Sequence, residues 1–166
     1  MKRFFMNVLL FILLVPCIVS AKELLVKEFT YADSRDEFLD EVVGTSDGGY
    51  VTVGYVADED VDAYDVSDSS DALIIKYDKD DKIVWKKIFG GTLGDYYTGV
   101  TELSDGSLIV VGYTESTDIE GITSIWSYDG IIVKYDKNGN LLWKKNYGGI
   151  DEEWLLHVKK HLMVDL

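Results

Sequence analysis

Asp129-Gly-Ile-Ile-Val-Lys-Tyr-Asp-Lys-Asn-Gly-Asn-Leu-Leu-Trp-Lys-Lys-Asn-Tyr-Gly-Gly149 has a near copy upstream. It is Asp71-Ala-Leu-Ile-Ile-Lys-Tyr-Asp-Lys-Asp-Asp-Lys-Ile-Val-Trp-Lys-Lys-Ile-Phe-Gly-Gly91. The two stretches are 129 − 71 = 58 residues apart, and the same offset carries Asp47-Gly48-Gly49 onto Asp105-Gly106-Ser107 and Gly54-Tyr55 onto Gly112-Tyr113. One period spans the body of the chain, and self-similarity of this size is the signature of stacked or radially arranged repeats.

Within a period the pattern is that of short strands. Tyr50–Tyr55 and Leu108–Tyr113 are rich in β-branched residues, each with a glycine where a neighbouring backbone or ring needs room. Ala72–Tyr77 and Ile131–Tyr135 follow, then the strands carrying Trp85 and Trp143. Phe38–Val43 aligns with Tyr96–Thr101 and with a third copy at Trp154–Lys159, an acid preceding the aromatic each time. Asp47-Gly48, Asp105-Gly106 and Asn138-Gly139 predict two-residue hairpins with positive φ. Four short antiparallel strands per period make a blade of a β-propeller, longer than the familiar ~40–50-residue units because of one variable loop.

The expected fold is therefore all-β, with antiparallel four-stranded blades of an open or partial propeller, about two and a half repeats of 58 residues. The repeats run at about 38–95 and 96–153, within a repeat region of 22–158 that has partial units at both ends, and 159–166 form a divergent tail. Leu24–Phe29 reads as the last strand of an otherwise absent unit. Two full repeats do not close a ring of four to eight blades. Self-association through open blade edges is one consequence.

Ahead of the repeats, Met1-Lys2-Arg3 is basic and Phe4–Val19 is almost entirely apolar, ending in Val19-Ser20-Ala21. That is a secretory signal over residues 1–21, its apolar run of about 15 residues being shorter than the roughly 20 that span a bilayer. The reading is a secreted or cell-surface protein. Lipid anchoring at Cys17 is disfavoured by Leu14-Val15-Pro16 before it. Cys17 is the single cysteine, so the processed chain has no disulfide framework. Removing 1–21 takes two of sixteen basic groups and none of thirty acidic ones, leaving 14 − 30 = −16. Such a surface repels nucleic acid, whose binding rests on lysine and arginine displacing counterions.

Candidate ligand contacts fall in the variable loops. Asp58, Asp60, Asp62, Asp65 and Asp68 concentrate carboxylates that would suit a weak calcium site, although the spacing is not that of an EF-hand and a solvated acidic loop is the competing reading. Tyr64, Trp126 and Tyr128 are aromatic faces on loops, able to stack on sugars or to cover apolar neighbours. Asp136-Lys-Asn-Gly-Asn140 looks calcium-like but reads as a hairpin. His157 and His161 would share a helical face and could hold zinc, against which the repeat register puts a strand there. No Ser/His/Asp, Cys/His or phosphate-loop pattern is present, and the chain is not read as an enzyme.

With Tyr77-Asp78…Trp85 and Tyr135-Asp136…Trp143, each followed by Lys-Lys and Gly-Gly, the chain resembles the exported bacterial β-propeller repeat proteins, many of them clostridial. Their units run along the lines of DGGYIVVGYT…DALIVKYDKNGNLLWKKTFGG. The resemblance covers most of residues 22–158, implies blades, and carries no shared catalytic chemistry. The hairpin is also similar to the tryptophan-docking repeats of quinone-dependent alcohol dehydrogenases and of outer-membrane assembly propellers, which implies that Trp85 and Trp143 pack between blades. The functional expectation is a non-catalytic exported module that binds a glycan or a protein. The alternative is a truncated or accessory segment of a larger propeller-containing enzyme, polysaccharide-acting or quinone-dependent.

Overall fold

Eight strands account for the repeats in the computed structural model, which describes residues 37–57, 70–123 and 128–160. The chain divides into Met1–Ala32, outside the described residues together with the predicted signal and the Leu24–Phe29 strand, and Asp33–Leu166, which holds every strand described below. The strands are β1 (Glu37–Gly44), β2 (Tyr50–Val56), β3 (Asp71–Tyr77), β4 (Ile83–Phe89), β5 (Asp95–Glu102), β6 (Leu108–Thr114), β7 (Asp129–Tyr135) and β8 (Leu141–Tyr147). They form two antiparallel four-stranded meanders, β1-β2-β3-β4 and β5-β6-β7-β8, and no helix occurs among the described residues.

The tight turns correct the sequence reading. At each one, two backbone bonds enclose three residues: Thr45 N to Gly49 O with Gly48 N to Thr45 O, and likewise at 103–107, 78–82 and 136–140. These are three-residue loops, a type I turn closed by one left-handed residue, rather than two-residue hairpins. The residue that takes positive φ is Gly48 (86°), Gly106 (79°), Gly139 (80°) or, at the fourth turn, Asp81 (62°). The leading aspartate stiffens the corner: Asp136 Oδ1 accepts from Asn138 N and Asn140 N, both at 2.8 Å, and Asp78 does the same for Asp80 N and Lys82 N. The calcium-like stretch is a hairpin, and its carboxylate is committed to the turn.

A second repeated device is a bulge. The β1–β2 register slips between Leu39 and Glu41, and the β5–β6 register slips between Tyr97 and Gly99. Gly54 and Gly112 sit opposite, where a Cβ would collide with the carbonyl oxygens of Phe38 and Tyr96. The strand glycines seen in the sequence are there because partner backbone closes over them.

The two sheets share a core. Val51, Val53, Ala72 and Ile74 of the first sheet pack against Tyr97, Val100, Leu108, Val110, Ile131, Val133 and Tyr135 of the second, and β5 lies across β1, β2 and β3. Leu73, Ile75 and Tyr77 are buried on the opposite face of the first sheet. Trp85 reaches from β4 onto the β7–β8 turn: its Nε1–H donates to Lys137 O at 3.2 Å, and its ring lies on Gly139, where a Cβ would come within 2.7 Å of it. Phe89 stacks on Tyr97 at 5.7 Å. Trp85 thus packs between sheets, as the resemblance to tryptophan-docking repeats implied. Trp143, its counterpart, is 40% exposed.

Residues 151–160, predicted to begin a third unit with a strand at Trp154–Lys159, are not part of either ladder. No β2-type strand stands beside them among the described residues. They pack on β5 instead, Thr98 Oγ1 donating to Leu155 O and His157 Nδ1 lying 3.2 Å from Glu41 Oε1.

Candidate functional site

Cross-strand pairs at one end of the sheets begin a line of rings. Phe38 pairs with Tyr55 across β1–β2 and Tyr96 with Tyr113 across β5–β6, each pair stacked at 4.8 Å. Tyr55 meets Tyr96 edge to face at 5.0 Å, which joins the two sheets. From Tyr113 the line continues to Tyr128 at 5.4 Å, again edge to face, and on to Trp154 at 6.0 Å. Offset-stacked and T-shaped contacts of this kind are worth about 0.5–1.5 kcal/mol each beyond burial.

The line ends in an open cleft lined by Tyr113, Tyr128, Trp154 and Leu156. Trp154 is half exposed and Leu156 more so. Carboxylates border the rings. Glu115 is hydrogen-bonded to the Tyr128 hydroxyl; that bond first, then burial, pushes the phenol well above its ordinary range. The Oε1 atom of Glu115 is buried with no hydrogen-bond partner among the described residues. Tyr113 is raised by burial and then by Asp40, whose own carboxyl is raised by burial. Tyr96 is pushed up to about 12 by burial, against the opposing hydrogen bond from Ser70. The phenols therefore stay protonated at neutral pH, the Tyr128 hydroxyl donating to Glu115.

The position that opens the cleft is where the repeats differ. Ser70 and Tyr128 are 58 residues apart and make the same backbone contact: Asp95 N donates to Ser70 O and Glu153 N to Tyr128 O, both at 2.7 Å. In the first unit the small Ser70 lets Tyr55 touch Tyr96 directly. In the second, the Tyr128 ring stands between Tyr113 and Trp154 and widens the end of the ladder.

Of the residues singled out in the sequence, Tyr128 is placed in this cleft. Asp58, Asp60, Asp62, Tyr64, Asp65, Asp68 and Trp126 lie outside the described residues, as does His161. His157 faces Glu41. Tyr113, Glu115 and Trp154 were not singled out; the repeated acid–aromatic pair ending in Glu153-Trp154 was the available signal.

A second concavity lies between the sheets, lined by Thr45, Asp47, Lys76, Trp85 and Glu102. Its buried Lys76 ammonium is already held by Thr45 Oγ1 (2.9 Å), Asp47 Oδ2 (2.9 Å) and Tyr77 O (2.8 Å). Hydrogen bonds from Thr45 first, then Lys76 and Gly49, lower Asp47 to about 2. Those atoms tie a turn to a strand, and the lysine has no donor left for a ligand.

Comparison with protein-family models and with curated protein sequences found no match.

Proposed function

We propose that the chain is a non-catalytic, exported binding module made of propeller-type blades, and that the Tyr113–Tyr128–Trp154 cleft receives a carbohydrate. The observation that carries the ligand class is the cleft itself: the faces of Tyr113, Tyr128 and Trp154 suit the apolar face of a pyranose, and the Glu115 and Asp40 carboxylates stand near the phenols. Its placement beside loops on a rigid sheet scaffold, at a position where the repeat is broken, supports recognition over packing.

Radial repetition is supported by a separate convergence. Glu41, Gly99 and His157 occupy the same position in three successive units, 58 residues apart. They meet: Glu41 Oε2 accepts from Val100 N at 2.7 Å, Glu41 Oε1 faces His157, and a Cβ on Gly99 would lie 3.1 Å from the His157 Cα. Equivalent positions gather at one place when units are arranged about an axis, whereas linear stacking keeps them a unit's width apart. Export rests on the basic and apolar leader over residues 1–21.

The test is a glycan array followed by calorimetric titration of the hits on the folded protein. Tyr128→Ser, which installs the residue of the first repeat, and Trp154→Ala should each weaken binding about tenfold, or ~1.4 kcal/mol, with both variants still folded by circular dichroism at the titration temperature. Folded protein that binds no glycan, or binding that survives both substitutions, would overturn this reading.

A further inference from the structure

The segment following the second sheet repeats two of the contacts that seat β5 on the first. Gly91 N donates to Asp95 Oδ2 at 2.8 Å, and Gly149 N donates to Glu153 Oε2 at 3.1 Å. The Asp95–Ser70 and Glu153–Tyr128 backbone bonds match at 2.7 Å. Exposure alternates along Glu153–Leu156 and slips after it, where β1 and β5 carry their bulges. Residues 153–158 therefore occupy the place of a first strand. Unlike β1 and β5, they have no ladder partner among the described residues.

The sheet beside that segment is bare in the matching way. Trp85 and Phe89 on β4 are covered by the Gly139 turn and by Tyr97. Their counterparts Trp143 and Tyr147 on β8 are 40% and 51% exposed. The covered and uncovered faces carry the tryptophan and a second aromatic in the same register, Trp85 and Phe89 against Trp143 and Tyr147, so the intrachain interface is the template for what the bare one accepts.

We propose that the outer face of the second sheet, together with residues 149–158, is a docking surface for a three-stranded antiparallel unit of the β6-β7-β8 type that lacks its own first strand. Residues 153–158 complete that unit by pairing with its leading strand, which sets a ring on Trp154 as Tyr55 lies on Phe38 and Tyr113 on Tyr96, so the docked unit and a carbohydrate compete for the Trp154 face. The Trp143 ring seats on its second turn, which carries glycine at the position equivalent to Gly139. A second copy of this chain does not fit, because β1 and β5 already occupy the edges of β2 and β6, and Leu73, Ile75 and Tyr77 on the first sheet's far face are already buried.

The experiment replaces residues 161–166 of the full chain with a copy of residues 103–160, which supplies the three strands in register. Amide and indole hydrogen exchange are then followed by nuclear magnetic resonance. The proposal expects amides of Trp154–Val158 and the Trp143 indole N–H to gain protection of about a hundredfold or more. It also expects Trp143→Ala to lower the thermal midpoint of the extended chain by several degrees more than that of the original. An appended copy that stays unstructured, or that folds while leaving Trp143 and residues 154–158 as exchangeable as before, overturns it. So does an original chain found as a discrete oligomer with those sites already protected, which would make a second copy the occupant.

Discussion

Gly106 and Gly139 differ in one respect that can be measured. Both close a three-residue turn with nearly the same backbone angle, 79° and 80°. Alanine at either position carries the left-handed penalty of roughly 1–2 kcal/mol. At Gly106 the nearest atom to an added Cβ is Lys137 Cβ at 3.7 Å, an ordinary contact. At Gly139 the Cβ would stand 2.7, 3.0 and 3.1 Å from three carbons of the Trp85 ring, so the ring must lift from the turn and its bond to Lys137 O is strained. Overpacking of this kind costs about 1–3 kcal/mol. Gly139→Ala should therefore destabilise by about 2–5 kcal/mol against about 1–2 for Gly106→Ala. Urea denaturation followed by circular dichroism and by fluorescence gives both values, provided the two probes coincide. In a Trp85→Ala background the excess at Gly139 should vanish, because the clash is with the ring alone. Equal costs in the parent chain, or an excess that persists without Trp85, would refute the claim that the tryptophan docks on this turn.

Asp95 is fully buried, and burial, opposed by hydrogen bonds from Thr114, Gly91 and Ser116 and reinforced by Asp71, raises it to about 6. A carboxyl raised from 3.8 binds its proton more tightly in the folded state, so stability falls as pH rises through that window and the loss is complete above about 6. Asp95→Asn should therefore gain on the parent by up to roughly 3 kcal/mol between pH 4 and pH 7, from ~1.4 kcal/mol per unit; a constant difference across chemical denaturation at several pH values would refute it. Gly112→Ala, which drives a methyl into the Tyr96 carbonyl, should cost about 3 kcal/mol or more, and a midpoint near that of the parent would show that the bulge adjusts.

Much of the fold was legible because its signals are local. Period-two runs of β-branched residues mark strands, and Asp-Gly or Asn-Gly marks their connections, so the strands stand within a residue or two of the sequence reading. The turn type was misread because Ser-Asp-Gly and Lys-Asn-Gly place glycine third in the loop, where it closes a type I turn; the dipeptide alone does not distinguish this from a two-residue loop. The bulges were not legible, since hydrophobic alternation around Leu39 and Tyr97 carries no mark of a one-residue slip. The aromatic line was out of reach for a different reason. Phe38–Tyr55 follows from strand pairing, but Tyr55–Tyr96 and Tyr128–Trp154 depend on how one sheet sits on the next segment, which no single stretch encodes.

A repeat separates two kinds of residue, and the β3–β4 and β7–β8 turns show how. Asp81 and Gly139 hold the same position and both adopt left-handed backbone, at 62° and 80°. Were glycine required by the turn itself, Asp81 would be a defect. No tryptophan precedes Trp85 in the sequence, so no indole from an earlier unit seats on the Asp81 turn as Trp85 seats on Gly139, and a side chain is tolerated there. At Gly139 a ring does seat, and a side chain would meet it. Glycine at this position therefore follows from the tryptophan 54 residues before it, 139 − 85, as much as from the turn. The same logic applies to Ser70 and Tyr128: identical backbone contacts, so the chain geometry does not explain the larger ring. What changes with Tyr128 is the surface between Tyr113 and Trp154, and that is why the proposed glycan contact is placed at the departure from the repeat rather than at the repeat.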